Sequence, residues 1–310
     1  MNKLHMTLGA LSVCAIAALS ACGGGGSSGP KAVTIDFAAV AGSTAINCAS
    51  TVTNLGTTNA QGTLSDLRFY VSNVKLVKAD GSTQALTLDK TDDFNATLGS
   101  DTVSLIDLED KTGTCAGTTA MNTSIKGTVP AGDYVGMKMT LGVPFAMNHT
   151  DAAADTAVTP AVINNAVHPG MAWSWAGGRK FTKIEVTNSS WTAPFFYVHL
   201  GSTGCTGTNP AAGQVDACSR PNRVDFSLSS FNPDTQKVAV DVKALLSTNN
   251  VTLNGPVTPI SGIVAGPGGC MSGATDYECG EIFNALSLDL ITGLTLNSGA
   301  NQRLFKVVSK

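Results

Sequence analysis

Apolar side chains recur at every second position in several separate stretches of this chain. Val135, Met137, Met139 and Leu141 alternate with Gly136, Lys138 and Thr140, and Ile184 and Val186 alternate with Lys183 and Glu185. Val224, Phe226 and Leu228 follow the same rule, as do Val238, Val240 and Val242. A strand turns successive side chains to opposite faces, so this period sets one apolar face against a core and one polar face away from it. The longer period of a helix is weak throughout, with room for a turn or two over 242–247 and 281–286. Leu67 to Val77 reads as one strand with an irregularity at Ser72-Asn73. Asp80-Gly81 reads as the turn of a hairpin that returns through Ala85 to Leu88. The patterns predict an all-β fold: an antiparallel β-sandwich or barrel-like domain with long loops over 143–170 and 201–222. Loops of that length inside a compact domain are usually functional or disordered.

The N-terminus reads as an address. Lys3 precedes a short apolar run, Leu8 to Leu19, and then Leu19-Ser20-Ala21-Cys22. The layout is that of a signal peptide, with an apolar run too short to span a bilayer. The cysteine at the cut site resembles a bacterial lipobox, which makes 1–21 a lipoprotein signal peptide and Cys22 the lipidated first residue. Gly23 to Gly29 is glycine and serine only, so 22–32 is expected to be a flexible tether. That leaves 33–310 as a single domain. Gly23, by resemblance to Gram-negative sorting rules, favours the outer membrane, on its periplasmic or cell-surface face.

Eight cysteines less Cys14 and Cys22 leave six, an even number that suits disulfides in an exported domain. Sequence alone does not fix the pairing. Short spacing suggests Cys205–Cys218 and Cys270–Cys279, which leaves Cys48–Cys115. A net charge of -3 with 13% charged residues lacks the basic face that nucleic-acid binding needs. The acidic runs Asp92-Asp93 and Asp107-Leu108-Glu109-Asp110 read as surface charge, with calcium as the sharper alternative.

Three histidines follow the signal: His149, His168 and His199. His168 opens a His168-Pro169-Gly170 turn that leads into Met171, Trp173 and Trp175. His199 ends the run Phe195 to His199, and on an extended chain Phe195, Tyr197 and His199 share one face. Each feature has a plain explanation: a core-edge histidine, or an aromatic plug closing a sandwich end. Imidazole suits copper, zinc, iron and nickel. Two histidines are too few for a structural zinc site but suit Cu(I), with Met171 as a soft ligand and His149 as a third candidate. The competing readings are a surface adhesion or structural lipoprotein, and a hydrolytic enzyme whose metal keeps an open position for water. Against the enzyme, the chain carries no HExxH, no nucleophile elbow and no paired-carboxylate motif.

Several runs, in order, resemble the MbnP-like family, also described as the four-cysteine partner of a metallo-mystery pair. They are Leu67-Arg68-Phe69-Tyr70-Val71-Ser72-Asn73-Val74, Val129-Pro130-Ala131-Gly132-Asp133-Tyr134 and Leu141-Gly142-Val143-Pro144 ending near Asn148-His149. His168-Pro169-Gly170-Met171 with Trp173 and Trp175, His199-Leu200-Gly201-Ser202-Thr203-Gly204-Cys205, and Cys270 to Cys279 follow. The resemblance implies a non-catalytic copper-binding protein of the periplasm or cell surface. It further implies a di-haem cytochrome c peroxidase-like partner, of the MbnH or MauG kind, that oxidises a tryptophan to kynurenine. On this chain the copper ligands would be His168, His199 and Trp173 as kynurenine, with Trp175 as the second choice for oxidation. Ala172 and Arg179 depart from the family pattern beside this site.

Overall fold

The computed structural model describes residues 29–150, 160–173, 178–256, 261 and 266–310. Its spine is one strand, Ala60–Lys78, with partners in tandem along both edges. Thr182–Thr187 and then Tyr134–Leu141 pair along one edge. Thr51–Leu55, Asp101–Asp107 and Thr83–Ala85 pair along the other. Val224–Ser229 extends the sheet beyond Tyr134–Leu141, and Phe195–Leu200 then Gly269–Cys270 extend it beyond Thr182–Thr187. Asn95–Leu98 completes its ten strands.

A six-stranded sheet runs Phe305–Ser309, Gln236–Asp241, Lys31–Ala41, Ser124–Val129, Thr87–Leu88, with Thr44–Ala45 beside Lys31–Ala41. The two sheets stack as a sandwich. Phe37 of one sheet and Phe69 of the other meet at 5.8 Å between ring centroids, Phe69 and Phe305 at 5.5 Å, and Phe226 and Phe305 at 4.9 Å. The all-β expectation holds in its sandwich form, without a closed barrel.

The expected irregularity in the long strand is a bulge. Asn73 adopts φ 52°, and the register with Tyr134–Leu141 shifts there. Several local expectations are corrected. A second register shift, between Tyr134 and Gly136, turns Val135 outward and Tyr134 inward. The hairpin return does not stay with its partner: Thr83–Ala85 pairs with the long strand, but Thr87–Leu88 joins the other sheet. Val242 leaves the strand period to open the helix Val242–Leu246, where Asp241 caps the first turn by accepting from Ala244 N. The second short helix is Cys279–Ala285. Not every ladder is antiparallel, since Lys31–Ala41 runs parallel to Gln236–Asp241 and Phe195–Leu200 parallel to Gly269–Cys270.

Three disulfides have the expected pairing: Cys48–Cys115, Cys205–Cys218 and Cys270–Cys279. The first ties the approach to Thr51–Leu55 to the loop after Asp101–Asp107, and the second rungs the ribbon Thr203–Thr206 with Ala217–Arg220.

Candidate functional site

The ten-stranded sheet has two unlike faces. On the inner face Leu67, Phe69, Ile184, Val186, Phe196, Val198 and Leu200 are all buried in the sandwich core. Their sequence neighbours Asp66, Arg68, Lys183, Glu185, Tyr197 and His199 turn to the other face. That face is also largely buried, because the segments 145–150, 160–173 and 178–180 lie over it. Tyr70 Oη donates to Val162 O, and Arg179 Nε donates to Ile163 O. Arg179 also donates from its backbone N to Asn148 Oδ1 and from Nη2 to Thr150 Oγ1. Arg179 thus fastens three pieces of the cover together.

Under the cover runs a chain of ion pairs. Arg68 grips Asp66 with two hydrogen bonds, Nε to Oδ1 at 2.9 Å and Nη2 to Oδ2 at 2.6 Å. Lys183 Nζ bridges Asp66 Oδ2 at 2.6 Å and Glu185 Oε1 at 2.9 Å. Glu185 Oε1 in turn accepts from His199 Nε2 at 2.7 Å. Strand register explains the order: His199 stands opposite Lys183, and Lys183 opposite Arg68. Burial alone would raise the Glu185 carboxyl, but the His199 hydrogen bond and the Lys183 charge hold it down at about 2. Burial lowers the His199 imidazole below its usual value, against the pull of Glu185. Burial thus favours the neutral ring. Its Nε2 carries the proton given to Glu185, which leaves a lone pair on Nδ1.

His168 is arranged alike. The turn forms as expected, with Met171 N donating to His168 O and Gly170 at φ 82°. His168 is 3% exposed and packs 5.1 Å from the Phe94 ring. Its Nε2 donates to Asp93 O at 2.5 Å, and its buried Nδ1 has no hydrogen-bond partner. Burial lowers this imidazole too, and the Arg68 charge adds to the effect while the Asp93 hydrogen bond opposes it. A Cβ on Gly170 would come within 3.5 Å of Lys183 Cε, so the turn stands over the row that ends at His199.

Trp173 joins the two motifs. Its ring meets His199 edge-on, 5.9 Å between centroids, and Lys180 Nζ lies 5.0 Å from its centroid. Burial, with Lys183 nearby, brings Lys180 down to about 8. Trp173 N donates to Gly178 O, and Lys180 N to Met171 O, so 171–173 and 178–180 pair antiparallel about Ala172 and Arg179. Gly201 is required where the indole lodges: a Cβ there would stand 2.6 Å from Trp173 Nε1 and 2.8 Å from Arg179 O. Met171 packs within the buried apolar cluster. His149 lies on the far side of Gly178, whose added Cβ would stand 3.2 Å from His149 Cε1, and its Nε2 is 3.4 Å from Cys218 Sγ. Cys22 and Trp175 lie outside the described residues.

The acidic runs divide. Asp93 is exposed, whereas Asp107 and Glu109 are fully buried, so they are not surface charge. Glu109 accepts from Thr118 N at 2.7 Å and Lys111 N at 3.0 Å, which holds the loop that Cys115 closes. Asp107 is pushed up to about 8 by burial, with Glu109 adding to the shift and Arg68 opposing it.

Among the described residues, three groups bring His, Cys, Asp or Glu ligand atoms within 4.8 Å of one another: His149 with Cys205 and Cys218, Glu109 with Cys48 and Cys115, and Asp276 with Cys270 and Cys279. Each contains a disulfide, and a metal takes the thiolate rather than the oxidised sulfur. In the oxidised protein these groups therefore offer little beyond one conventional ligand each. Sequence reasoning missed Glu185, Lys180 and Gly201, whose parts in the site depend on cross-strand register and on the cover.

The family model for MbnP matches residues 30–272. Among solved structures the chain is similar to MbnP from Methylosinus trichosporium, with 29% sequence identity and a TM-score of 0.75. That likeness covers 91% of this chain and 99% of the other. No curated protein matches.

Proposed function

The chain belongs to the MbnP family, and from that premise we propose that it is a copper-holding lipoprotein of the outer membrane, anchored through Cys22. It is not an enzyme, in keeping with its family. His168 and His199 supply imidazole nitrogens to Cu(I). Trp173, oxidised to kynurenine by a di-haem peroxidase-like partner, supplies the third donor. The observation that carries this reading is the tie on each ring. Both Nε2–H groups are spent on protein acceptors, Asp93 O and Glu185 Oε1, and the buried Nδ1 of His168 has no partner. Metal-binding histidines are oriented in just this way, with the far nitrogen held by a carbonyl or carboxylate. Trp173 edge-on to His199 supports the third position. An indole is a poor ligand. Oxidation to kynurenine, a net gain of one oxygen and loss of one carbon, opens the ring and exposes an aryl amine.

Two measurements test this. Cu(I) competition titration should find about one copper per chain, weakened at least tenfold in His168→Ala and in His199→Ala. Intact mass and peptide mapping of protein made together with the haem partner should show the modification on the Trp173 peptide. Unchanged binding in both histidine variants would sink the ligand set, and an unmodified Trp173 in co-expressed protein would sink the third donor.

A further inference from the structure

Of His149, His168 and His199, His149 is the one that the proposed copper site leaves unused. Its Nε2 lies 3.4 Å from Cys218 Sγ and 3.0 Å from Asn148 Nδ2, a side-chain amide that must turn aside for the nitrogen to take a metal, and the ligand atoms of His149, Cys205 and Cys218 all fall within 4.8 Å of one another. We propose that Cys205–Cys218 is a redox-gated lock, and that opening it creates a second Cu(I) site built from His149 Nε2 and the two thiolates.

Three observations carry this. The first is selectivity. Cys205 and Cys218 are partly exposed, whereas Cys48, Cys115, Cys270 and Cys279 are all buried. Exchange needs a thiolate to reach a disulfide sulfur, so an accessible bridge opens before buried ones. The second is geometry. With bond lengths like those of zinc to nitrogen and sulfur, an imidazole and a thiolate sharing a trigonal ion stand about 3.7 Å apart. The existing 3.4 Å is already near that value. The two sulfurs must part, and this falls on side-chain torsions of residues directly opposite in a short surface ribbon, not on the core. The third is donor chemistry. One imidazole and two thiolates are a soft, three-coordinate set that suits Cu(I), while a structural Zn²⁺ site wants a fourth ligand.

The redox step balances with a dithiol as reductant. Its thiolate attacks one sulfur of the bridge, its second thiol resolves the mixed disulfide, and two electrons and two protons pass to Cys205 and Cys218. The reductant leaves as its own disulfide. Cu(I) then displaces the two thiol protons. Reduction thereby raises the copper capacity of the same loop region that carries the first site.

The test is Cu(I) competition titration of the full chain before and after limited dithiothreitol, with the reductant removed by desalting under nitrogen. Thiol labelling with peptide mapping should find Cys205 and Cys218 open first. Copper capacity should then rise by about one ion per chain. His149→Ala, and the gentler His149→Gln, should weaken the added site at least tenfold, and Cys205→Ser/Cys218→Ser should abolish the rise. The His168→Ala/His199→Ala variant should keep it, so failure of this inference is separable from failure of the first site. The proposal is overturned if Cys48–Cys115 or Cys270–Cys279 opens first. It is equally overturned if capacity does not change once Cys205 and Cys218 are labelled as free thiols, or if the rise survives their replacement by serine.

Discussion

The two faces of the ten-stranded sheet are made by the same strands, one residue out of step. The inner face is Leu67, Phe69, Ile184, Val186, Val198 and Leu200. The outer face is Asp66, Arg68, Lys183, Glu185 and His199, and several of these are as deeply buried as the core. The inner face obeys the hydrophobic effect and tolerates rearrangement. The outer face holds charge under a cover, where each group depends on a named partner. The difference locates function: a neutral imidazole with a fixed tautomer needs a dry, charged scaffold, and an apolar core cannot supply one.

The sharpest way to break this comparison is to remove one residue from each face. Arg68→Met should destabilise the fold by about 3–5 kcal/mol, because Asp66 keeps its burial and loses its bidentate partner. Phe196→Ala should cost a similar amount, about 3–5 kcal/mol, through a cavity. Urea unfolding measures both. The causes separate in a double variant: Asp66→Asn/Arg68→Met should recover part of the loss, because the buried carboxylate left with Lys183 as its one ion-pair partner among the described residues is gone. If the double variant is no better than Arg68→Met, the outer face is merely packing.

The next effect is on pH dependence, and the outer face should pull in two directions. Glu185 sits at about 2 in the fold against an ordinary 4.5. Its stabilisation is present above the ordinary value and is lost as pH falls from about 4.5 toward about 2. Asp107 is raised from an ordinary 3.8 to about 8. Between those values the folded chain holds a proton that the unfolded chain has released, so stability falls as pH rises. Asp107→Asn should flatten the slope from pH 5 to pH 7.5 without touching the acid limb, and Glu185→Gln should flatten the acid limb alone. Urea midpoints across pH check both. An unchanged neutral slope in Asp107→Asn would show that this carboxyl is ionised in the fold.

Much of the inner face was legible in the sequence, and little of the outer one. Val224, Phe226 and Leu228 alternate as a half-buried strand must, and all three are buried. Close spacing suggested Cys205–Cys218, and the ribbon that sets the two residues opposite each other had no such signal. Lys183 and Glu185 also alternate, and there the same rule misled: it reads polar residues as facing water. Nothing local says that 145–150 and 160–173 fold back over them. Asp107 and Glu109 misread as surface charge for the same reason. His168, Trp173 and His199 were legible as scarce residue types in odd company, but the meeting of Trp173 with His199 rests on the indole lodging against Gly201. The parallel pairing of Lys31–Ala41 with Gln236–Asp241 had no local signal at all, since partner choice is a property of the whole sandwich.

A smaller effect probes the copper reading through the same face. Glu185→Gln keeps the size of the side chain and an acceptor for His199 Nε2, but removes the charge that favours that tautomer. Copper affinity should fall about 10- to 100-fold, the usual cost of losing the group that orients a metal-binding histidine. Cu(I) competition measures it. Thr187→Ser, at the far end of the same strand, should leave affinity unchanged. Equal affinity in Glu185→Gln and the unmodified protein would detach the ion-pair chain from the site.

The smallest effect asks whether the faces are independent. Ile184, 1% exposed, lies between Lys183 and Glu185 in sequence yet points into the sandwich. Ile184→Val removes one buried methyl-sized group and should cost about 0.5–1.5 kcal/mol. It should leave copper affinity where it was, since the imidazole ties lie across the sheet. Combined with Glu185→Gln, the stability losses should add to within about 0.5 kcal/mol, because the two side chains share no partner. A larger interaction energy would mean that the apolar face transmits strain through the strand to His199. In that case the core would help position the copper site, and the contrast between the faces would be one of chemistry only.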